Sequence, residues 1–236
     1  MQKKYLGGIV FLVIIVAVVA TVGLTIHALT TAATNGNTST GQQIGGHTYS
    51  VMESVFPSDP CNDATFIKAH PDIANQDAAC KNSNNQDWVN YSTPDIVVGA
   101  NSLVTVTIVN YTRPNSLTDP FFERVQGTIG NTITVNGKRE SVVSPTVVSH
   151  TFTIHGIAAS NQPWLYISVP VTEADLNGGF DADGFALHPT TTVFQFRTQG
   201  PGKYIWNCEA PCGVGYANHG GPMSAKGYMS GTFTVQ

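Results

Sequence analysis

Residues 202–235 read GKYIWNCEAPCGVGYANHGGPMSAKGYMSGTFTV. Two β-like runs, 203–207 and 231–235, flank a segment holding Cys208, Cys212, His219, Met223 and Met229. Thiolate, imidazole and thioether are soft donors, the set that suits copper in electron transfer. A loop tied to a strand at each end holds its side chains in one place. Such a loop keeps geometry constant between oxidation states.

A further donor comes from upstream. Residues 147–154 read VVSHTFTI, and alternation places His150 and Phe152 on one face with Thr151 and Thr153 on the other. A histidine on the face of a core Phe, near the start of a strand, is within reach of the end loop of a sandwich.

The same pattern runs through the rest of the chain beyond residue 46. Short runs rich in Val, Ile, Thr and Phe stand at 95–111, 129–135, 142–154, 164–169 and 191–197, bounded by Gly, Pro and Asn. Asn136-Gly137 is a hairpin signal. The expected fold class is all-β, an antiparallel sandwich or barrel. Helical turns are expected at 64–69 and 72–79, in a segment that Cys61 and Cys80 staple as a disulfide.

The N-terminus has a different composition. Lys3 and Lys4 precede an uncharged stretch, and 9–22 is almost unbroken aliphatic. About 20 apolar residues span a bilayer, so residues 1–30 read as an uncleaved anchor crossing through 5–28, with the N-terminus in the cytoplasm. Cleavage after Ala33 is the alternative. Residues 31–46 then form a Thr/Asn/Gly/Ser tether, and 47–236 the domain outside the cytoplasm, with 47–94 as its stapled extension and 95–236 as its core. Disulfide chemistry and N-x-[ST] triplets at Asn37, Asn90 and Asn110 fit that compartment.

Of the 236 residues only 11% are charged, 42% are hydrophobic, and the net charge is −4. That balance argues against a nucleic-acid binder, which normally carries a basic patch or stripe. So few titrating groups imply a stability that varies weakly in acid. No acid–base pair, nucleophile elbow or phosphate loop is legible, so no independent substrate chemistry is expected. Asp181 and Asp183 in GGFDADGF match a fragment of a calcium loop, without its full spacing or terminal Glu.

HTFTI, then G-x-Y-x-W-x-C-x3-C-G, then M-x-G-x-x-x-V at the end together resemble the cupredoxin family, which implies a Greek-key β-sandwich. More narrowly they are similar to the copper-binding domain of cytochrome c oxidase subunit II. That resemblance implies a dinuclear copper centre bridged by the Cys208 and Cys212 thiolates. His150 and a loop histidine would cap the metals, and the Ala210 carbonyl and a methionine would be weak ligands. It also implies a haem or copper protein as electron donor, and terminal oxidase subunits as neighbours in the membrane. The loop departs from the family's C-x3-C-x3-H-x2-M: six residues separate Cys212 from His219, and three separate His219 from Met223. Met229 matches the family ending instead. Two alternatives stay open: a mononuclear blue copper site from His150, Cys212, His219 and Met223, and a metal-free surface sandwich in which Cys208 and Cys212 form a disulfide.

Overall fold

LVTVTIVN, residues Leu103–Asn110, folds as a strand whose even positions are buried and whose odd positions are half-exposed. That alternation fixes one face of a sheet toward a core. In this computed structural model the chain is described at residues 39–74, 87–115, 117–157, 161–212 and 221–236, all within one compact unit spanning Gly36–Gln236.

Thirteen strands build two sheets among the described residues. They are β1 (Ser39–Thr40), β2 (Gln42–Gly45), β3 (Thr48–Phe56), β4 (Asn90–Tyr91), β5 (Asp95–Val98), β6 (Leu103–Asn110) and β7 (Ile133–Val135). There follow β8 (Lys138–Glu140), β9 (Val148–Gly156), β10 (Ile167–Thr172), β11 (Thr190–Arg197), β12 (Gly202–Asn207) and β13 (Ser230–Val235). One sheet runs β1-β5-β13-β12-β9-β10, the other β2-β3-β6-β11-β7-β8, with β4 beside β3. Two short helices, α1 (Ala64–Ala69) and α2 (Pro71–Ala74), stand where helical turns are expected.

The facing sheets bury one apolar cluster, with Phe152, Phe194, Phe196, Trp206 and Phe233 at its centre. Phe152 stacks on Trp206 with ring centroids 5.5 Å apart. A smaller cluster, with Phe56, Phe66, Tyr111 and Phe185, lies under α1. The mainly-β sandwich matches the sequence expectation. The sheets are mixed, however: β3 pairs β6 in parallel, and β5 is parallel to both β1 and β13.

Several boundaries differ from the expectation. The run 95–111 is two strands in different sheets, because Asn101 at φ 52 turns the chain between them. The expected tether already contributes β1 and β2. The supposed extension supplies β3, which lies between β2 and β6 inside its sheet, so the core begins well before residue 95. β3 escapes a pattern search because its polarity is inverted at two positions: Met52 is exposed and Glu53 is buried. Ser92 Oγ and the Thr93 N–H donate to Glu53 Oε2 at 2.9 and 3.0 Å, which makes that burial tolerable.

The sequons at Asn90 and Asn110 do not mark exposed sugar acceptors. Both residues are fully buried, and each Nδ2 donates to backbone carbonyls. Cys61 is disulfide-bonded; its expected partner Cys80 lies outside the described residues. The expected anchor 1–30, Asn37 and His219 lie outside them too. No helix among the described residues is long and apolar enough to cross a membrane.

Candidate metal centre

The register of β9 against β12 brings the distant donors together. Trp206 lies opposite Ile154 and Asn207 opposite Thr153. Continuing past Asn207, the chain advances toward the start of β9, where His150 sits. The ladder bonds give way there to bonds that serve the site. The Glu209 N–H donates to Thr151 Oγ1 at 2.7 Å, and the Thr151 N–H donates to Cys208 Sγ at 3.3 Å.

His150, Cys208 and Cys212 are all buried, and their ligand atoms lie within 4.8 Å of one another. His150 Nδ1 is 2.9 Å from Cys212 Sγ and 3.9 Å from Cys208 Sγ. The two sulfurs are 3.2 Å apart and both thiols are free, so the Cys208–Cys212 disulfide of the metal-free alternative is not formed. The Ala210 carbonyl oxygen lies 3.5 Å from Cys208 Sγ. Sequence reasoning therefore names four groups that the fold gathers at one point.

Residues it did not single out decide the chemistry of the imidazole. Asn110 Nδ2 donates to the Thr172 carbonyl at 2.8 Å, which fixes the amide and turns Oδ1 toward Thr112. Oδ1 accepts from the Thr112 N–H at 3.1 Å and from its hydroxyl at 2.8 Å. With its only proton committed, Thr112 Oγ1 accepts from His150, whose Nε2 is 2.8 Å away. Nε2 therefore carries hydrogen, and Nδ1 is the ring atom available to a metal. This is how outer partners commonly orient a ligating histidine. Asn110 was legible only as a sequon, and nothing local marks Thr112.

Electrostatics at the sulfurs follow from burial and from these bonds. Burial raises the Cys208 thiol, but the hydrogen bond with Cys212, the neighbouring His150 ring and the Thr151 N–H outweigh it and hold Cys208 well below the ordinary thiol range. The hydrogen bond with Cys208, then burial and the Cys208 charge, push Cys212 far up. The pair thus releases one proton readily and keeps the other between its sulfurs. Asn115 Nδ2 donates to Cys212 Sγ at 3.7 Å and also to the Ser149 carbonyl. Tyr91, its phenol pushed well up by burial and by the Cys208, Cys212 and Glu53 charges, stays protonated and donates to the Thr151 carbonyl at 2.9 Å.

The methionines are placed differently. Met229 is fully buried, and its carbonyl accepts from the Cys208 N–H at 2.8 Å. Opposed residues of an antiparallel pair share a face. In β12 and β13 that inward face carries Tyr204, Trp206 and Phe233, so Met229 stands beside Cys208. Met223 is half-buried against the edge of the same cluster. His155 points elsewhere, its Nε2 bonded to Asn207 Oδ1 at 3.0 Å.

A cleft of about 350 Å³, lined by Trp88, Arg113, Asn115 and Pro222 among others, reaches His150 and Cys212. The larger cavity, about 590 Å³ between β7–β8 and the ends of β9 and β10, is not lined by His150, Cys208 or Cys212.

No protein-family model matches the chain. No curated protein matches it. Solved structures similar to it include the copper protein rusticyanin, at 13% identity over 90% of this chain and 93% of that one, with a TM-score of 0.39. Rusticyanin from Thiobacillus ferrooxidans is 15% identical over 90% of this chain and 92% of that one, with a TM-score of 0.33. Auracyanin B is 11% identical over 84% of this chain and 96% of that one, with a TM-score of 0.34. Likeness at these scores does not establish a family.

Proposed function

We propose that this chain is a cupredoxin-type copper protein that relays single electrons outside the cytoplasm. The observation that carries the reading is one imidazole nitrogen, freed by the Thr112–Asn110 relay, facing two free thiol sulfurs in a buried site. Two thiols and an imidazole are a soft set that suits Cu(I) and Cu(II) alike, and dry surroundings limit reorganisation. Bound copper would supply one-electron exchange. The protein would hold His150, Cys208 and Cys212 fixed, exclude water, and aim the Thr151 and Asn115 N–H donors at the two sulfurs.

We assign two coppers per chain, which Cys208 and Cys212 would hold together, since a mononuclear site would leave one of the adjacent sulfurs without a role. In this reading the Ala210 carbonyl and Met229 would serve as weak ligands, and His219 would hold the second copper. An N-terminal membrane anchor, a haem or small copper protein as donor, and a terminal oxidase as acceptor complete it.

Copper analysis with optical and paramagnetic resonance spectra of the loaded chain tests it. Two coppers and a purple colour are the expected result. One copper with an intense blue band would replace the dinuclear centre by a mononuclear one. A colourless chain retaining no copper would reject the copper function.

A further inference from the structure

The cavity of about 590 Å³ opens between β8 and β10, the strands that end the two sheets on one side. Its walls are mainly apolar, formed by Val135, Val142, Val143 and Val147. Two consecutive residues, Thr172 and Glu173, build its polar corner. Strand alternation sends neighbours to opposite faces. Here the register of β10 against β9 shifts between Val171 and Thr172, and Thr172 and Glu173 both line the cavity. Backbone bonds pin the corner on each side. The Thr172 carbonyl accepts from Asn110 Nδ2 at 2.8 Å, and the Glu173 N–H donates to the Val147 carbonyl at 2.8 Å.

The polar side-chain atoms of that corner are unmatched. Thr172 is only 7% exposed, and its Oγ1 has no hydrogen-bond partner. Glu173 Oε2 is buried and accepts no hydrogen bond, and no ion pair among the described residues includes the carboxylate. Burial pushes this carboxyl up from its ordinary range. A buried hydroxyl and a shielded carboxylate oxygen without partners are costly, and a donor seated beside them offsets that cost. The lining also selects the sign of charge. Glu140 and Glu173 are acidic, and Lys138, the one basic residue among the described lining, is held by Glu140 at 2.6 Å. An anion would meet the unpaired Glu173 carboxylate, whereas a cation would pair with it.

We propose that this cavity binds a small organic cation, a primary ammonium group on a short apolar body, with the ammonium on Glu173 and Thr172 and the body against the four valines. A pocket of this volume, apolar with a few convergent polar groups, is of the kind that takes small molecules. An ammonium only donates, so it serves the carboxylate and the hydroxyl oxygen together. The site is separate from the thiols and rests on no part of the copper reading.

The test follows the valine methyl NMR signals of the full chain at pH 7 while n-butylamine, 1-butanol or butyrate is titrated in. The three compounds share a short apolar body and differ in the charge of the head. The expected result is saturable shifts with n-butylamine, centred on Val135, Val142, Val143 and Val147. Affinity for 1-butanol should be about tenfold lower or more, and for butyrate lower again. Glu173→Gln keeps the shape and the backbone bond to Val147 and removes the charge, so it should bring n-butylamine down to the level of 1-butanol. Absence of saturable shifts with n-butylamine in the wild-type chain overturns the proposal, as do shifts centred on other methyls. Equal affinity for amine and alcohol overturns it too, in favour of a merely apolar cavity, and so does undiminished amine binding by Glu173→Gln. If that variant fails to fold, the amine-to-alcohol ratio in the wild-type chain decides alone.

Discussion

Thr112 spends its single proton on Asn110, and that choice leaves His150 with hydrogen on Nε2 and a free lone pair on Nδ1. Replacing the hydroxyl by a methyl strands a buried ring N–H. For Thr112→Val we expect copper affinity to fall about 10–100-fold, the usual effect of losing a partner behind a metal ligand. Thr112→Ser should restore it; competition titration with a copper chelator checks both. Tyr91→Phe removes the bond to the Thr151 carbonyl and should cost about 1 kcal/mol of stability, with little change in copper affinity, measured by urea unfolding. The ligand residues were legible because their donor types and spacing are unusual in a β-rich chain. The relay was not, since Asn110 and Thr112 acquire their roles from contacts 38–62 residues away in sequence.

β13 lies between β5 and β12 in the sheet that presents the thiols, and it depends on a close approach. A Cβ on Gly231 would stand 1.7 Å from the Pro94 carbonyl oxygen and 2.6 Å from Trp206 Nε1. Trp206 donates to that same carbonyl at 3.1 Å. Gly231→Ala should therefore part β13 from β5 and destabilise the fold by about 1–3 kcal/mol or more, read as a lower urea midpoint. At this scale alternation recovers β11, β12 and β13 within a residue or two. It fails at β3, where Glu53 points in and Met52 out, because a buried carboxylate satisfied by residues 39–40 positions away leaves no periodic trace. It also joins β5 to β6, although Gly99 and the left-handed Asn101 stand in the turn between them.

Across the whole molecule, the few perturbed carboxylates pull in opposite directions with pH. Burial raises Glu173 and Glu209 above their ordinary 4.5 and Asp181 above 3.8. A raised carboxyl binds its proton more tightly folded than unfolded, so each such group adds stability as pH falls through its folded pKa. Asp95 is the reverse: burial raises it, but hydrogen bonds from Thr232 and Lys226 and the Lys226 charge prevail and hold it below 3.8. Its contribution is present above the unfolded value and is lost only as pH falls through the lower folded one. Melting temperature should therefore stay level or rise from pH 7 to about 4 and drop below that, with Asp95→Asn flattening the acid-side drop. The central claim is that His150, Cys208 and Cys212 act as one copper site, and copper content per chain in wild type, His150→Ala and Cys212→Ser tests it most directly. Wild type should retain copper through exhaustive dialysis with both thiols blocked to alkylation, and each variant should lose the copper and its visible bands. Equal retention in all three, or thiols that alkylate freely in copper-loaded wild type, would contradict it.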